Sequence, residues 1–361
     1  MRVLFLTKYT ATGPSSRYRV VQFLPFLDAR NIAYDVHSLH DEHYLTERYA
    51  GRPTTPWYLA RRVAARLASL LHARAYDVVF IQKELFPHAL DVPELALSMA
   101  GIPTIVDLDD AIHLFYQDAA GWKRPLRDKI PRVLSRASLV LAGNRYLEEY
   151  ARRFSRHVQF FPTVVDTDRV IAGGPPAARR PVVGWMGTPE TVRYLHDLAP
   201  VLEDVAQQTP IELFVVGAEA PALAGVPAHS KPWREAEEVA DLHRMDIGVM
   251  PLADDEWSRG KCSLKLLQYM SAGVASVSSP RGSAGEIVRD GENAILADTP
   301  AEWREALIAL AGSAESRRNM GEKARNRVVA DYSLKVWGPR FVAAIEQAAS
   351  ERPRAGRVAR G

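Results

Sequence analysis

The sequence predicts an α/β protein made of two doubly wound, parallel-sheet domains in tandem. Three observations carry this expectation. Short apolar runs alternate with segments of helical periodicity along most of the chain, which is the βαβ signature of a parallel sheet. The runs are continuous rather than alternating, as strands buried on both faces should be. The alternation stops at a Gly/Pro-rich stretch, residues 171–180, and then restarts. A chain of 361 residues also exceeds what one hydrophobic core ordinarily fills.

The elements follow in order. RVLFLT, residues 2–7, is the first strand, and a Gly- and Ser-containing loop, 11–16, leads into a helix over 17–29. A strand is expected at 33–38. Residues 57–74 carry helical spacing through Leu59, Val63, Leu67, Leu70 and Leu71. Strands at 77–82, 104–107 and 138–142 alternate with helices near 91–100 and 124–136. Beyond the linker come strands at 181–185, 211–216, 247–250 and 275–278. Helices are expected at 191–206, 235–243, 264–272, 299–311 and 314–332. The expected domains are therefore 1–170 and 181–338, with 171–180 as linker. Residues 339–361 are read as a terminal helix returning to the first domain, then a basic tail with Arg352, Arg354, Arg357 and Arg360. Two such sheets facing each other would enclose one cleft, because open parallel sheets bind ligands at the carboxyl ends of their strands.

Composition narrows the class. With 47% hydrophobic and 25% charged residues, both domains can bury a core. The single cysteine, Cys262, excludes an intramolecular disulfide and a cysteine-based metal site, and it fits a reducing cytoplasm. The N-terminal apolar run is about five residues long, too short for a signal-peptide core, and no run approaches the ~18 residues of a spanning helix. Residues 1–170 carry 23 Lys and Arg against 18 Asp and Glu, whereas residues 171–361 carry 23 against 25. A basic first half suits an anionic partner, a phosphate-bearing substrate or a membrane surface, as well as an ordinary solvated surface. No nucleic-acid partner is expected.

Five groups of residues are candidates for chemistry. Gly187 and Gly217 each follow a strand, where a ligand can approach the backbone closely or the chain can simply turn. The first strand is not followed by G-x-G-x-x-G, which disfavours a dinucleotide-binding dehydrogenase. In the stretch 259–277, RGKCSLKLLQYMSAGVASV, a loop enters a helix. Lys261 and Lys265 share a helical face if the helix already includes Lys261. A helix N terminus with lysines suits a diphosphate, while lysines alone are more often surface charges. Asp107, Asp109 and Asp110 end a strand, with His113 just beyond. Three such carboxylates repel one another, and they either orient substrate hydroxyls or cap the next helix. In the loop Gly13–Arg19, Gly13 permits close backbone approach, Ser15 or Ser16 can cap the helix, and at most one of Arg17 and Arg19 enters a cleft. Finally, helix 57–74 is basic and amphipathic through Arg61, Arg62, Arg66 and Arg74. It can lie on an anionic membrane, or pack its leucines on the sheet with its arginines in water.

The segment 259–277 resembles the donor-binding signature of family-four retaining glycosyltransferases of the GT-B fold, also called glycosyl transferases group 1. Gly184-Trp-Met-Gly-Thr188 resembles the opening strand of that family's second domain. Asp246–Leu252, Pro280–Val288 and Asp290–Ala294 resemble its neighbouring stretches, as does Tyr332-Ser-Leu. The resemblance covers nearly all of residues 181–338 and is looser over Gly13, Ser16–Arg19 and Val106–Asp110. It departs at the family's two glutamates, which fall on Gly260 and Gln268 here. Gln268 keeps hydrogen bonding to a ribose hydroxyl, and Asp254, Asp255 or Glu256 are the available substitutes for the first carboxylate.

The resemblance implies transfer of a sugar from a nucleoside-diphosphate sugar to an acceptor hydroxyl with retention, without a metal or other cofactor. It implies donor contacts from Gly13, Gly187, Thr188, Gly217, Lys261, Lys265, Leu266 and Gln268. Catalytic contributions are expected from Asp107, Asp109, Asp110, Lys261 and Lys265. Ser16, Arg17, Arg19 and His113 are placed on the acceptor side, where a saccharide or lipid-linked acceptor would sit. The setting implied is cytoplasmic biosynthesis of bacterial-type polysaccharide or glycoconjugate, with peripheral contact at the inner membrane face. A sugar-nucleotide epimerase uses the same fold, and an inactive partner subunit would fit the lost glutamates.

Overall fold

The computed structural model describes residues 1–49, 51–173 and 180–351. Most of the expected linker, 174–179, and the basic tail from Arg352 lie outside the described residues. The chain divides into two compact units, Met1–Thr163 with Trp337–Gly361, and Val164–Val336.

Unit 1 runs β1 (Arg2–Thr7), α1 (Pro14–Arg19), α2 (Leu24–Asp28), β2 (Ala33–Ser38), α3 (Glu42–Tyr49), α4 (Pro56–Leu71), β3 (Val78–Gln82), α5 (Val92–Met99), β4 (Thr104–Leu108), α6 (Lys129–Arg136), β5 (Leu139–Ala142), α7 (Arg145–Arg152) and β6 (Val158–Phe160). Its sheet is wholly parallel in the order β2-β1-β3-β4-β5-β6. β3, β4 and β5 are buried along their whole length, which is why they read as unbroken apolar runs.

Unit 2 runs β7 (Val182–Met186), α8 (Arg193–Gln208), β8 (Glu212–Val216), β9 (Ala228–Lys231), α9 (Glu238–His243), β10 (Ile247–Met250), α10 (Glu256–Arg259), α11 (Leu264–Ser271), β11 (Ala275–Ser278), α12 (Ala284–Ile287), β12 (Ile295–Leu296), α13 (Pro300–Gly312) and α14 (Ala314–Asp331). A final helix, α15 (Leu334–Ser350), starts here and belongs to unit 1 from Trp337 onward. The second sheet is also wholly parallel, in the order β12-β11-β10-β7-β8-β9.

The terminal helix is held in unit 1 by aromatic packing. Phe341 stacks on Phe23 at 4.5 Å and on Phe5 at 6.2 Å, and it meets Phe80 and Phe161 at 5.7 Å. Such pairs add stabilisation beyond the area they bury. Gly338 lets the helix approach: a Cβ there would stand 2.2 Å from the Phe26 ring.

Two local expectations are corrected. The single helix over 17–29 is broken into α1, a 3-10 turn at Val21–Phe23, and α2. Pro25 lacks the N–H that would continue the first helix and instead occupies the opening turn of the second. The helix over 57–74 does not pack its leucines inward. Arg66 is buried and donates through Nη2 to the Thr7 carbonyl. Arg62 donates through Nε to Leu39 O at 2.8 Å and through Nη2 to Ser38 O at 2.6 Å. These carbonyls lie at the ends of β1 and β2 and just beyond, and a planar guanidinium supplies several donors to them at once. Burial, reinforced by the Arg62 charge, pulls Arg66 down to about 9. The apolar stripe of α4 faces out.

Candidate functional site

The order of the second sheet fixes where a ligand belongs. β7 and β10 are neighbours, yet the chain leaves β7 toward β8 on one side and leaves β10 toward β11 on the other. The crevice beyond the carboxyl ends of such a pair is the usual ligand position in open α/β sheets. Gly187 and Thr188 follow β7, and the segment from α10 to α11 follows β10.

Lys265, in the first turn of α11, stands at that point. Its Nζ donates to Thr191 Oγ1 at 3.2 Å and lies 4.1 Å from the centre of the Trp185 ring. Burial, reinforced by the Lys261 charge, lowers the Lys265 ammonium to about 7. A Cβ on Gly187 would come within 2.6 Å of that Nζ and 2.4 Å of the Trp185 ring. Gly217 holds φ +90, and a Cβ there would stand 2.2 Å from Gly187 O. The two glycines therefore let the ends of β7 and β8 close together beside the lysine. Gly217→Ala is expected to destabilise unit 2 by at least about 1–2 kcal/mol, the usual penalty for a side chain at positive φ. Thermal denaturation of this variant checks it, and an unchanged midpoint would contradict the steric role.

The loop before α11 is organised for close approach. Among the described residues no side chain caps the α11 N terminus, so its first-turn N–H groups point outward without one. Leu266 is fully buried, and as third residue of the helix it contributes a backbone N–H. Ser263, at the cap position, holds a left-handed backbone with φ 50. Strain of this kind persists where the surroundings impose it and gathers at ligand-binding loops. Gly282, at φ +60, fits against Lys261 O, where a Cβ would stand 2.2 Å away. The buried hydroxyls of Ser258, Ser263 and Ser283 have no hydrogen-bond partner among the described residues. Three such donors around one loop are an uncommon cost in a protein interior.

The lysine pair differs from the conditional expectation. Lys261 is outside α11, because the left-handed Ser263 interrupts the helical path, and its Nζ packs 4.4 Å from the Trp257 ring. Thr188 accepts a local role, with its N–H donating to Thr191 Oγ1 at 3.3 Å. Gln268 is buried on α11. Of the acidic substitutes, Asp255 caps α10 through Ser258 N at 2.7 Å. Asp254 pairs with Arg281 at 3.0 Å, and Glu256 is exposed.

In unit 1 the three aspartates are compensated by cations. Asp107 is fully buried and bound by Arg19 through both Nε and Nη2, while Arg19 Nη1 donates to Phe161 O at 2.8 Å. Arg19 thus lies in the interior. Lys83 Nζ approaches Asp109 Oδ1 at 3.1 Å and also bonds Asp110. Burial opposes the Lys83 charge, but Asp109 and Asp110 outweigh it and hold the ammonium above its ordinary value. Lys83 itself has φ 65. Ser15 donates to Asp109, and Gln82 Nε2 donates to Ser15 Oγ at 2.8 Å. Ser16 is buried and donates to Gln82 Oε1 at 2.8 Å, so neither serine caps α1, whose cap is Gly13. The space a Cβ would take at Gly13 is filled by Tyr9, 2.4 Å away. Arg17 is buried, with its guanidinium 4.8 Å from the Tyr18 ring. His113 stacks on Tyr150 at 3.7 Å, and burial, aided by Arg153, lowers it to about 4, so it is neutral at physiological pH.

Lys83 and Gln82 were not singled out from the sequence. Their only signal is position, directly at the end of a buried strand beside β1, where the order of the first sheet also reverses.

Two Rossmann-like parallel sheets in tandem, the second with this switch-point site, make the GT-B fold. Residues 180–313 match the family described as glycosyl transferases group 1. Among solved structures, HepE of Anabaena in complex with UDP-glucose aligns with a TM-score of 0.70 at 17% identity, covering 96% of this chain and 99% of its own. Sucrose-phosphate synthase from Thermosynechococcus elongatus aligns at 0.68 and 13% identity, covering 97% and 99%. A glycosyltransferase from Rickettsia africae aligns at 0.67 and 8% identity, covering 96% and 98%. At these identities the likeness is one of fold. No curated protein matches the sequence.

Proposed function

We propose that the protein is a glycosyltransferase that moves a sugar from a nucleoside-diphosphate sugar to an acceptor hydroxyl, with retention of configuration. The observation that carries this reading is Lys265 at the uncapped start of α11, facing Gly187 at the switch point of the second sheet. A diphosphate placed there meets backbone N–H groups, a helix dipole, the unpartnered serine hydroxyls and one or two ammonium groups. The group 1 match over residues 180–313 and the UDP-glucose held by HepE support a sugar nucleotide, and a uridine nucleotide first among them.

The chemistry follows from these groups. The acceptor oxygen bonds to the anomeric carbon on the face from which the diphosphate departs, and the bond from that carbon to the diphosphate breaks. The acceptor proton passes to the leaving diphosphate, and charge develops on that diphosphate. Lys265, with Lys261, stabilises that charge, and no protein nucleophile is required in this reading. The acceptor, a saccharide or a lipid-linked glycoconjugate of bacterial type, is assigned to the carboxyl edge of the first sheet, near Lys83, Asp109 and Asp110. The setting is the cytoplasmic side of a membrane.

No cofactor beyond the co-substrate is needed, because the diphosphate site is built from lysines and a helix terminus rather than carboxylates. Release of nucleoside diphosphate from a sugar-nucleotide panel tests both points. Turnover is expected to survive chelation of divalent ions. Loss of activity in chelator and its return with manganese or magnesium would contradict it.

A further inference from the structure

We propose that the acceptor is an acidic saccharide, its sugar ring packed on the aromatic cluster of Tyr9, His40 and Tyr44 and its anionic group held by Lys8. The role of acceptor rests on the transferase reading above, whereas the site stands on the groups of unit 1 alone.

The strand ends bring these residues together. β1 and β2 are paired to their last residues, Thr7 against Ser38. The chain stays paired beyond them, with Leu39 N donating to Thr7 O at 2.9 Å and His40 N to Lys8 O at 3.0 Å. Tyr44, in the first turn of α3, stacks on His40 at 3.8 Å. The Tyr9 ring lies 5.9 Å from His40 and 6.2 Å from Tyr44, and Tyr58 of α4 lies 6.1 Å from Tyr44. These ring pairs are all within 30° of parallel. Two hydroxyls are fixed: Arg48 Nη1 donates to Tyr44 Oη at 3.0 Å, and Tyr58 Oη donates to Asp41 Oδ1 at 3.0 Å. Tyr9 and Tyr44 keep part of their surface exposed. Such rings offer the apolar surface that the C–H face of a pyranose fits, with polar edges for its hydroxyls. The cluster also stands at the switch point of the first sheet, where the chain leaves β1 toward β2 and β3 toward β4.

Two polar groups at this place have no partner among the described residues. His40 is 7% exposed, and its Nδ1 is buried without a hydrogen bond. Burial and the cations Lys8, Arg62, Arg66 and Arg48 lower His40 to about 4, so it is neutral and offers a hydrogen bond rather than a charge. Lys8 is half-buried, and its Nζ has the Tyr9 ring centre at 5.4 Å but no hydrogen bond and no carboxylate within ion-pair reach. Burial, then the Lys83 charge, lowers the Lys8 ammonium to about 8 against the pull of Glu84 and Asp110. Lys83, which has its carboxylates, is shifted the other way.

The carboxylates of the neighbourhood are already matched. Asp109 and Asp110 share Lys83, and Glu84 is bound by Lys129 and Tyr116. Asp41 faces Arg61 and Arg62 at 3.9 Å, and Glu47 pairs with Arg52. Glu42 is two positions from Tyr44, which puts it on another face of α3. Lys8 is therefore the cation left for a ligand. A carboxylate or phosphate carried on the stacked sugar gains a charge-assisted bond there, whereas a neutral sugar leaves the desolvated ammonium unpaired.

Calorimetric titration of the full-length protein with methyl glycosides tests this without any transfer reaction. The panel holds glucuronic, galacturonic and mannuronic acids, the corresponding hexose 6-phosphates and the neutral parent hexoses, with inorganic phosphate as an anion lacking a ring. At least one acidic glycoside is expected to bind roughly tenfold tighter than its neutral parent and tighter than inorganic phosphate. Whether the uronate or the 6-phosphate leads identifies the anionic group. Lys8→Gln should abolish the preference for the acidic sugar without lowering the melting temperature, and Tyr44→Leu should weaken the acidic and neutral sugars alike. Equal binding of acidic and neutral sugars, binding of none of them, or a preference that survives Lys8→Gln would overturn the proposal. A protein that binds a sugar nucleotide but shows no such preference keeps the transferase reading and loses this one. One that prefers acidic sugars but binds no nucleotide keeps the site and loses its role as acceptor site.

Discussion

Lys265→Ala is expected to weaken nucleoside-diphosphate sugar binding by roughly ten- to hundredfold, since one charge-assisted hydrogen bond is worth about 1.5–3 kcal/mol. The fold should be unaffected, because the substitution removes a desolvated charge and leaves no carboxylate unpaired. The pH dependence is specific to this lysine. Its ammonium sits at about 7 in the free protein. A bound diphosphate favours the charged form, so binding takes up a proton once the pH exceeds that value. Affinity should therefore be flat below pH ~7 and fall above it, approaching tenfold per pH unit. Calorimetry in two buffers of different ionisation enthalpy measures the uptake, and the variant should show none of it. Equal affinity and equal proton uptake in parent and variant would remove Lys265 from the donor site.

The largest effect on stability is expected at Arg19. Arg19→Met leaves the fully buried Asp107 without its guanidinium and should destabilise unit 1 by about 3–5 kcal/mol, the usual consequence of breaking a buried pair from one side. Burial already pushes the Asp107 carboxyl upward against the opposing pull of Arg19, so the variant should take up a proton there on folding. Adding Asp107→Leu should restore much of the loss, because no buried charge then remains. Denaturant unfolding of the three variants measures this. A single variant as stable as the parent would show that the pair contributes little to the fold. Asp109→Asn and Asp110→Asn should behave differently, lowering transfer with little change in melting, since Lys83 remains neutralised by the other carboxylate.

Much of this architecture was legible because the strands are short, apolar and buried on both faces. Ile247–Met250 and Ala275–Ser278 stand where their apolar runs stand. β9, AHSK, escaped because an exposed edge strand carries no apolar run, and β12 is only two residues long. The glycines at 187 and 217 were legible from their places after strands. The serine hydroxyls and Gly282 around Lys261 were not, since loops distant in sequence bring them together. Lys83 carries no signal beyond its position: a lysine after an apolar run reads as a surface charge, and its left-handed backbone leaves no periodic trace. The sequence leaves the direction of the α4 leucines open for a physical reason. Periodicity identifies an apolar stripe but not which side it faces, and here two arginines satisfy strand-end carbonyls on the inner side.

The second unit is expected to hold a nucleoside-diphosphate sugar beside Lys265 at the β7–β10 switch point. Equilibrium titration of the full-length protein with a panel of nucleoside diphosphates and their sugars tests it most directly, with Lys265→Ala titrated in parallel. Saturable binding of at least one nucleotide is expected, a uridine nucleotide first, weakened roughly ten- to hundredfold in the variant. Binding of no member of the panel by the folded protein, or binding indifferent to Lys265, would contradict it.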